Sequence, residues 1–408
     1  MRRRIQSPQT QNGAFPGRKR ILILMSDTGG GHRASAEALQ AVFQERYPEA
    51  IQVDIIDLWM HHTPWPLNQL PKSYRFVTDR TPRLWKWAWR ISEKETASEL
   101  LFSTVTRWAA NAIRRAFLHY APDLVISVHP VMQHVPLTVL ADMGWSLPFV
   151  TVVTDLTTAN LNWFHPGVDR CFVASQEALE RARRAGLAPS QLRLTGLPVR
   201  PAFARQARPK AELRRMLGLD PERRVVLLMS GGEGMGPVAT IARRVAWELA
   251  RRKIPGELVV ICGRNQRLRE RLSRQSWPIP VRVLGFVTDM PNWMGASDCV
   301  ITKAGPGTIA EALICGLPIL LSGYIPGQEE GNVPFVVTNG VGDYSEDPGE
   351  IARIVARWLG PDQERLAAMS QRARALAHPQ ATYEIVDEIA ALVGVASQDA
   401  PEDASREA

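Results

Sequence analysis

Twice along the 408-residue chain an aliphatic run ends in a serine and a glycine cluster that opens a helical pattern. The first is "ILILMSDTGGGHRASAEAL" at residues 21–39 and the second "VVLLMSGGEGMGPVATIARR" at 225–244. Each opens a series of short strands separated by longer helical patterns: "RILILM", "IQVDIID", "DLVISV", "PFVTVVTD", "RCFVAS", "LRLTG", then, after the second opening, "GELVVICG", "VRVLGF", "DCVITKAG" and "LPILLSG". Alternation of this kind builds a parallel sheet wrapped by helices. The expected fold is therefore α/β, with two Rossmann-like domains facing a central cleft at the carboxyl ends of their strands.

Prolines at 198, 201, 209 and 221 interrupt the pattern between the two units and mark a linker, with the boundary near residue 205. The expected organisation is a basic, disordered tail over 1–19, one Rossmann-like domain over 20–204 and a second over 205–375. Helices over 376–395 are expected to cross back to the first domain, and 396–408 to form a disordered acidic tail. Residues 59–120 depart from the pattern and hold half of the 12 tryptophans, Trp59, Trp65, Trp85, Trp87, Trp89 and Trp108. Indoles interleaved with Lys and Arg, as in "RTPRLWKWAWR", suit a membrane interface; packing of the same rings on the sheet is the other reading.

The formal charge of +8 fits an anionic partner: lipid head groups, a phosphorylated small molecule or nucleic acid. No recognition-helix, zinc-finger or ribonucleoprotein pattern is present, so nucleic acid is not expected. Four scattered cysteines suggest neither a disulfide framework nor a zinc site. The basic opening lacks the apolar core of a secretory signal, and the longest apolar stretch falls short of the ~20 residues of a spanning helix. The expected location is thus cytoplasmic, peripherally bound to the cytoplasmic membrane.

A strand that ends in glycines and opens a helix leaves backbone N–H groups uncovered where the helix dipole favours negative charge. The first cluster is neither G-x-G-x-x-G nor a P-loop, which argues against a dinucleotide-dependent oxidoreductase. More specific is "ITKAGPGTIAEALICGLPIL", where a strand meets a tight turn at Gly305–Thr308 and a helix, with Thr308 expected to cap the helix and donate to a phosphate.

These motifs, together with "TDLTT", "WFH", "GLPVRP", "CGRN", "GFVTDM" and "GYIPGQEEGN", resemble the monogalactosyldiacylglycerol synthase family of inverting GT-B glycosyltransferases (family 28 type), in order from about residue 20 to 390. The resemblance implies transfer of galactose from UDP-galactose to 1,2-diacylglycerol at an anionic membrane surface, giving a β-linked glycolipid. It places uracil at Phe286 and Val287, ribose at Glu311, and diphosphate at Gly307 and Thr308, opposite Ser230, Gly231 and Gly232. Arg264 falls near the phosphates; Gln328, Glu329 and Asn332 fall near the hexose; Gly30, Gly31, Trp163 and His165 fall on the acceptor side, with Trp85, Trp87 and Trp89 toward the membrane.

A leaving diphosphate gains negative charge that a metal, a cation or a helix N-terminus must stabilise. The chain has no D-x-D, so no metal and no other cofactor is expected, and the helix dipole with Arg264 would take that part. The acceptor hydroxyl must lose its proton, and His32 is the expected general base. Asp27 and Asp155 are both candidates to orient its ring. His61, His62, His129 and His134 show no ligand spacing. A UDP-glucose-dependent enzyme and a transferase acting on a polyprenyl-diphosphate sugar are the alternatives, and nothing in the sequence specifies the oligomeric state.

Overall fold

The computed structural model describes residues 17–27, 30–69, 89, 91–93, 95–232, 234 and 236–396, with backbone alone over 95–101. Two compact units divide the chain. One runs up to Pro201 and resumes at Gln380, and the other covers Ala202–Pro379.

In the first unit six strands form one all-parallel sheet: β1 (Lys19–Met25), β2 (Ile51–Asp57), β3 (Leu124–Ser127), β4 (Phe149–Val152), β5 (Arg170–Val173) and β6 (Leu192–Leu194). Their order is β2-β1-β3-β4-β5-β6. Ile21 to Met25 are all buried, as expected of a strand covered on both faces, which is why β1 reads as a continuous apolar run. Helix α1 (Gly31–Arg46) follows β1 across Gly30, whose φ of 84° lies in the left-handed region that glycine adopts without strain. It buries Ala36, Leu39, Val42 and Phe43. The ends of β1 and β2 are tied by the buried Asp57, whose carboxylate accepts from Ser26 Oγ (3.3 Å), the Asp27 amide (2.9 Å) and the Met60 amide (2.9 Å). Helix α2 (Glu95–Tyr120) precedes β3 and packs Ala109, Ile113 and Phe117 into the core.

The second unit has its own parallel sheet: β7 (Arg224–Met229), β8 (Gly256–Ile261), β9 (Val281–Leu284), β10 (Cys299–Thr302), β11 (Ile319–Leu321) and β12 (Gly342–Tyr344), in the order β12-β11-β10-β7-β8-β9. Helices α3 (Val238–Arg251) and α5 (Pro348–Leu359) pack together on it, whereas α4 (Pro306–Ile314) leaves the end of β10. Trp358 of α5 is fully buried among Leu249, Val355 and their neighbours. The buried carboxylate of Asp298 accepts from Arg214 (2.6 Å), Lys210 (3.0 Å) and the Val225 amide (2.7 Å), which fixes the start of β7 to β10.

From Gln380 the chain rejoins the first unit through α6 (Ala381–Leu392). Tyr47 Oη and Arg46 both bond Asp387; Arg170 and Arg193 share Glu388 at 2.8 and 3.0 Å; Thr382 Oγ1 bonds both the amide and the carbonyl of Val199. The described tryptophans of the 59–120 segment differ in burial, with Trp89 half-buried. Trp59 is buried and belongs to the core; Trp65 and Trp108 are 76% and 58% exposed. Among the described residues no helix is long and apolar enough to cross a membrane.

Candidate active site

In an open parallel sheet, ligands bind beyond the carboxyl ends of the strands where the strand order reverses. In the first sheet that point lies between β1 and β3, and in the second between β7 and β10. Both glycine clusters sit at these two places.

His32, the second residue of α1, stands at the first of them. Its Nδ1 shares a hydrogen bond with Thr154 Oγ1 at 2.8 Å. The ring of His129, just beyond β3, lies tilted against it with centroids 4.5 Å apart, and the indole of Trp163 lies 6.0 Å away. Trp163 is fully buried and donates its Nε1–H to Asp155 Oδ2 at 2.7 Å. Enclosure by these neighbours pushes the His32 pKa down from 6.5 to about 4, against the upward pull of the Val128 carbonyl and the Asp27 charge. Burial, and then His32 itself, hold His129 well below its ordinary value. Both rings are neutral at neutral pH.

A second ring cluster adjoins. His134 stacks on Phe102 at 4.3 Å and meets His165 edge-on at 4.8 Å; burial, followed by the neighbouring His165, lowers its pKa to about 4. His165 accepts the Gly167 amide at Nδ1 (3.0 Å) and is also lowered by burial.

At the second switch point β10 runs into Lys303 and then α4. Gly305 caps this helix without a side-chain hydrogen bond, Pro306 has no amide hydrogen to offer, and the first amide returned within the helix is that of Ile309, to Gly305 O at 3.0 Å. The amides of Gly307 and Thr308 thus point out of the helix start. Lys303 folds back over this mouth. Its Nζ lies 3.4 Å from where a Cβ on Gly305 would stand, and its Cε 3.5 Å from the corresponding point on Gly231. The Lys303 ammonium pairs with Glu329, which is only 3% exposed and whose other oxygen accepts the Ile325 amide at 2.9 Å. Buried Asn332 ties its side chain to the Ala304 carbonyl at 2.9 Å.

The Ser230–Gly232 loop is clasped backbone to backbone by the turn at 262–264. The Arg264 amide donates to Gly232 O at 2.8 Å, and a Cβ on Gly263, at φ +58°, would lie 2.2 Å from that same oxygen. Phe286 is 56% exposed, with the Arg264 guanidinium over its ring at 4.9 Å, and Val287 beside it is half-buried. Gly263→Ala is expected to lose about 1–3 kcal/mol of stability through strain, which thermal melts measure.

The structure thus brings His32 and Trp163 together in one unit, and Gly231, Gly305, Gly307, Thr308, Glu329 and Asn332 in the other. Glu311 on α4 and Gln328 are half-buried nearby in sequence, as is Trp89 in the first unit. Trp85 and Trp87 lie outside the described residues.

Two expectations are corrected. The hydrogen bond at His32 Nδ1 goes to Thr154: Asp155 receives the Trp163 indole, and Asp27 pairs with Arg33 (3.3 Å), acting on the ring through its charge alone. Gly305, not Thr308, is the cap of α4, because the helix begins at Pro306 and leaves Thr308 within the first turn. Lys303 is a second cation here, folded between the glycine loop and the helix mouth, while Arg264, whose amide holds Gly232, lays its guanidinium over Phe286. Sequence reasoning missed Thr154, His129 and Lys303. Among the described residues no group of three or more His, Cys, Asp or Glu is placed to hold a metal ion.

Two parallel six-stranded sheets, each with a glycine loop at its switch point, are the GT-B architecture. Solved structures agree on the fold: Acinetobacter baumannii MurG matches with a TM-score of 0.59 at 15% identity, over 91% of this chain and 99% of the other. A Neisseria meningitidis UDP-GlcNAc 2-epimerase bound to UDP-GlcNAc matches at 0.58 and 14%, over 91% and 99%. The family model for monogalactosyldiacylglycerol (MGDG) synthase matches residues 32–199, and that for the glycosyltransferase family 28 C-terminal domain matches 225–341. Monogalactosyldiacylglycerol synthase 1 of Arabidopsis thaliana is 51% identical over 380 residues, 92% of this chain and 71% of that protein. The synthase of Spinacia oleracea is also 51% identical, over 92% and 73%. The chain belongs to the monogalactosyldiacylglycerol synthase family.

These relatives are named chloroplastic, which overturns the expected location at the cytoplasmic membrane. Strand patterns and net charge report on fold and partners, and neither carries an address.

Proposed function

We propose that this glycosyltransferase moves galactose from UDP-galactose to the free hydroxyl of 1,2-diacylglycerol with inversion, forming a β-linked galactolipid. The observation that carries the reading is the second switch point, where a glycine loop, the open start of α4 and the ammonium of Lys303 converge. That combination suits a diphosphate. The names of the relatives supply hexose and lipid.

In the reaction the acceptor oxygen bonds to the anomeric carbon as the bond from that carbon to the β-phosphate oxygen breaks. The proton passes to His32, which is neutral and able to receive it. The bonding pair leaves with UDP, and its new charge meets Lys303 and the first-turn amides of Gly307 and Thr308. Glu329 holds Lys303 in place, and the exposed face of Phe286 offers a platform for the base. Trp65 and Trp108, exposed on a chain of net charge +8, suit an enzyme that meets its lipid at an anionic membrane surface.

Purified protein incubated with diacylglycerol vesicles and either UDP-galactose or UDP-glucose tests this directly. Galactolipid is expected, with turnover unchanged by EDTA because cations of the chain and helix amides meet the leaving group. Product from UDP-glucose alone would replace galactose by glucose in the reading, and failure of both donors would refute it. Loss of turnover in EDTA that added Mn²⁺ restores would refute metal-free catalysis.

A further inference from the structure

We propose that the outer face of α3 is a docking surface for a bilayer carrying anionic phospholipid, which gives the second unit a membrane contact of its own. This surface goes with the reading of the protein as an enzyme that takes its acceptor from a membrane, and rests on it.

The sequence of α3 sorts its residues onto two faces. Val238, Ile241, Ala242, Val245, Ala246 and Leu249 recur at the spacing of one helical stripe, and all are buried in the core of the second unit. Four residues of this 14-residue helix are exposed, and they are Arg243, Arg244, Trp247 and Arg251. Arg252 and Lys253, just past its end, are exposed as well. One acid stands among them: Glu248, 6% exposed, accepts from Arg251 at 2.7 and 2.9 Å and from Arg252 at 2.7 Å. Arg243 and Arg244 have no acidic partner among the described residues.

A face that meets only solvent mixes its signs, and neighbouring α5 does so: its exposed Arg353 and Arg357 both reach Glu350, at 2.6 and 3.8 Å. On α3 five cations meet one buried carboxylate. An indole 56% exposed stands among them, with the Arg251 guanidinium 5.6 Å from its ring centroid. Like charges one turn apart repel, and an exposed indole costs free energy in water. A bilayer of anionic lipid relieves both. Guanidinium groups fork onto phosphate oxygens, and an indole settles at the level of the head groups, its ring toward the acyl chains and its N–H toward water. Nucleic acid would answer the charge alone and a second copy of the chain the indole alone, whereas the bilayer answers both and holds the acceptor.

Full-length protein sedimented with phosphatidylcholine vesicles, with and without phosphatidylglycerol, tests the assignment. Arg243→Glu combined with Arg244→Glu is expected to weaken binding to the phosphatidylglycerol vesicles about tenfold or more, while kcat on diacylglycerol dispersed in neutral detergent stays within about twofold of wild type. The same change of net charge at Arg183 and Arg184, an exposed pair of the first unit, should leave vesicle binding within about twofold. Emission from Trp247, read as the difference between wild type and Trp247→Phe, should be quenched by brominated phosphatidylglycerol, and this measurement decides alone if the Arg243, Arg244 variant does not fold. Unmoved vesicle binding in that variant, an equal loss in the Arg183, Arg184 variant, or an unquenched Trp247 would overturn the proposal. Unmoved vesicle binding beside a dimer that the variant turns into a monomer would overturn it in favour of a second copy, and a loss confined to duplex DNA in favour of nucleic acid. Failure of the wild type to turn over diacylglycerol would refute the lipid acceptor itself, whereas wild-type turnover beside unmoved vesicle binding refutes only this surface.

Discussion

Replacing His32 with alanine is expected to reduce kcat by about 100- to 10,000-fold, the range that loss of a general base commonly costs, while leaving UDP binding unchanged. The binding half of this prediction follows from placement. His32 belongs to α1 of the first unit, and every residue assigned to UDP belongs to the second. A His32→Ala protein that loses UDP affinity in calorimetric titration would show that the histidine is a donor ligand. One that keeps its turnover would show that the acceptor proton leaves by another route.

The pH dependence follows from the enclosure of the ring. An unperturbed histidine would lose its basic form as pH falls through 6.5; with its pKa held at about 4, His32 remains able to accept a proton well below that. The acid limb of kcat/KM is therefore expected near pH 4 and not near 6.5. The same burial acts on stability with a definite sign. His134 is likewise held at about 4, so between about 4 and 6.5 the unfolded chain binds more protons than the folded one. Stability should rise with pH across that window, and acidification should erode it from about 6.5 downward until the folded pKa is reached. Circular dichroism recorded beside initial rates separates the two effects: a rate lost while the fold persists is the titration of the base.

The sheets were legible because their code is local. Five consecutive buried residues in β1 need an unbroken apolar run, and a helix opening at Gly30 with φ of 84° needs a glycine. The site was legible only where the same locality held, as at the two glycine loops. Thr154 escaped because its meaning depends on strand order. The chain from β1 to α1 must come within reach of the end of β4, two strands away across β3, before a threonine in "VVTDLTT" becomes the partner of a histidine 122 residues earlier. Asp155, next to it, looked the better candidate on chemistry alone, and the buried indole claimed it. The tryptophans show the same limit, since composition put Trp59 and Trp65 in one class and the fold sent the first to the core and the second to the surface.

Lys303 lay in plain view within "ITKAGPGT", where a lysine reads as an exposed charge; only the fold turns it back over Gly231 and Gly305. Lys303→Met is expected to lower kcat by about 100- to 1,000-fold, the scale on which removing one preorganised partner of developing negative charge acts. A competing explanation for such a loss must be separated from it. The substitution also strands Glu329, which is 3% exposed, and breaking a buried ion pair from one side costs about 3–5 kcal/mol of stability, enough to unfold a marginal protein. Adding Glu329→Gln removes the orphaned charge while leaving the leaving group without its cation. If Lys303 serves the diphosphate, the double variant regains stability and stays slow, and its affinity falls for UDP but not for uridine, which has no phosphate to lose. If Lys303 only balances Glu329, the double variant recovers its fold, and UDP and uridine are affected alike.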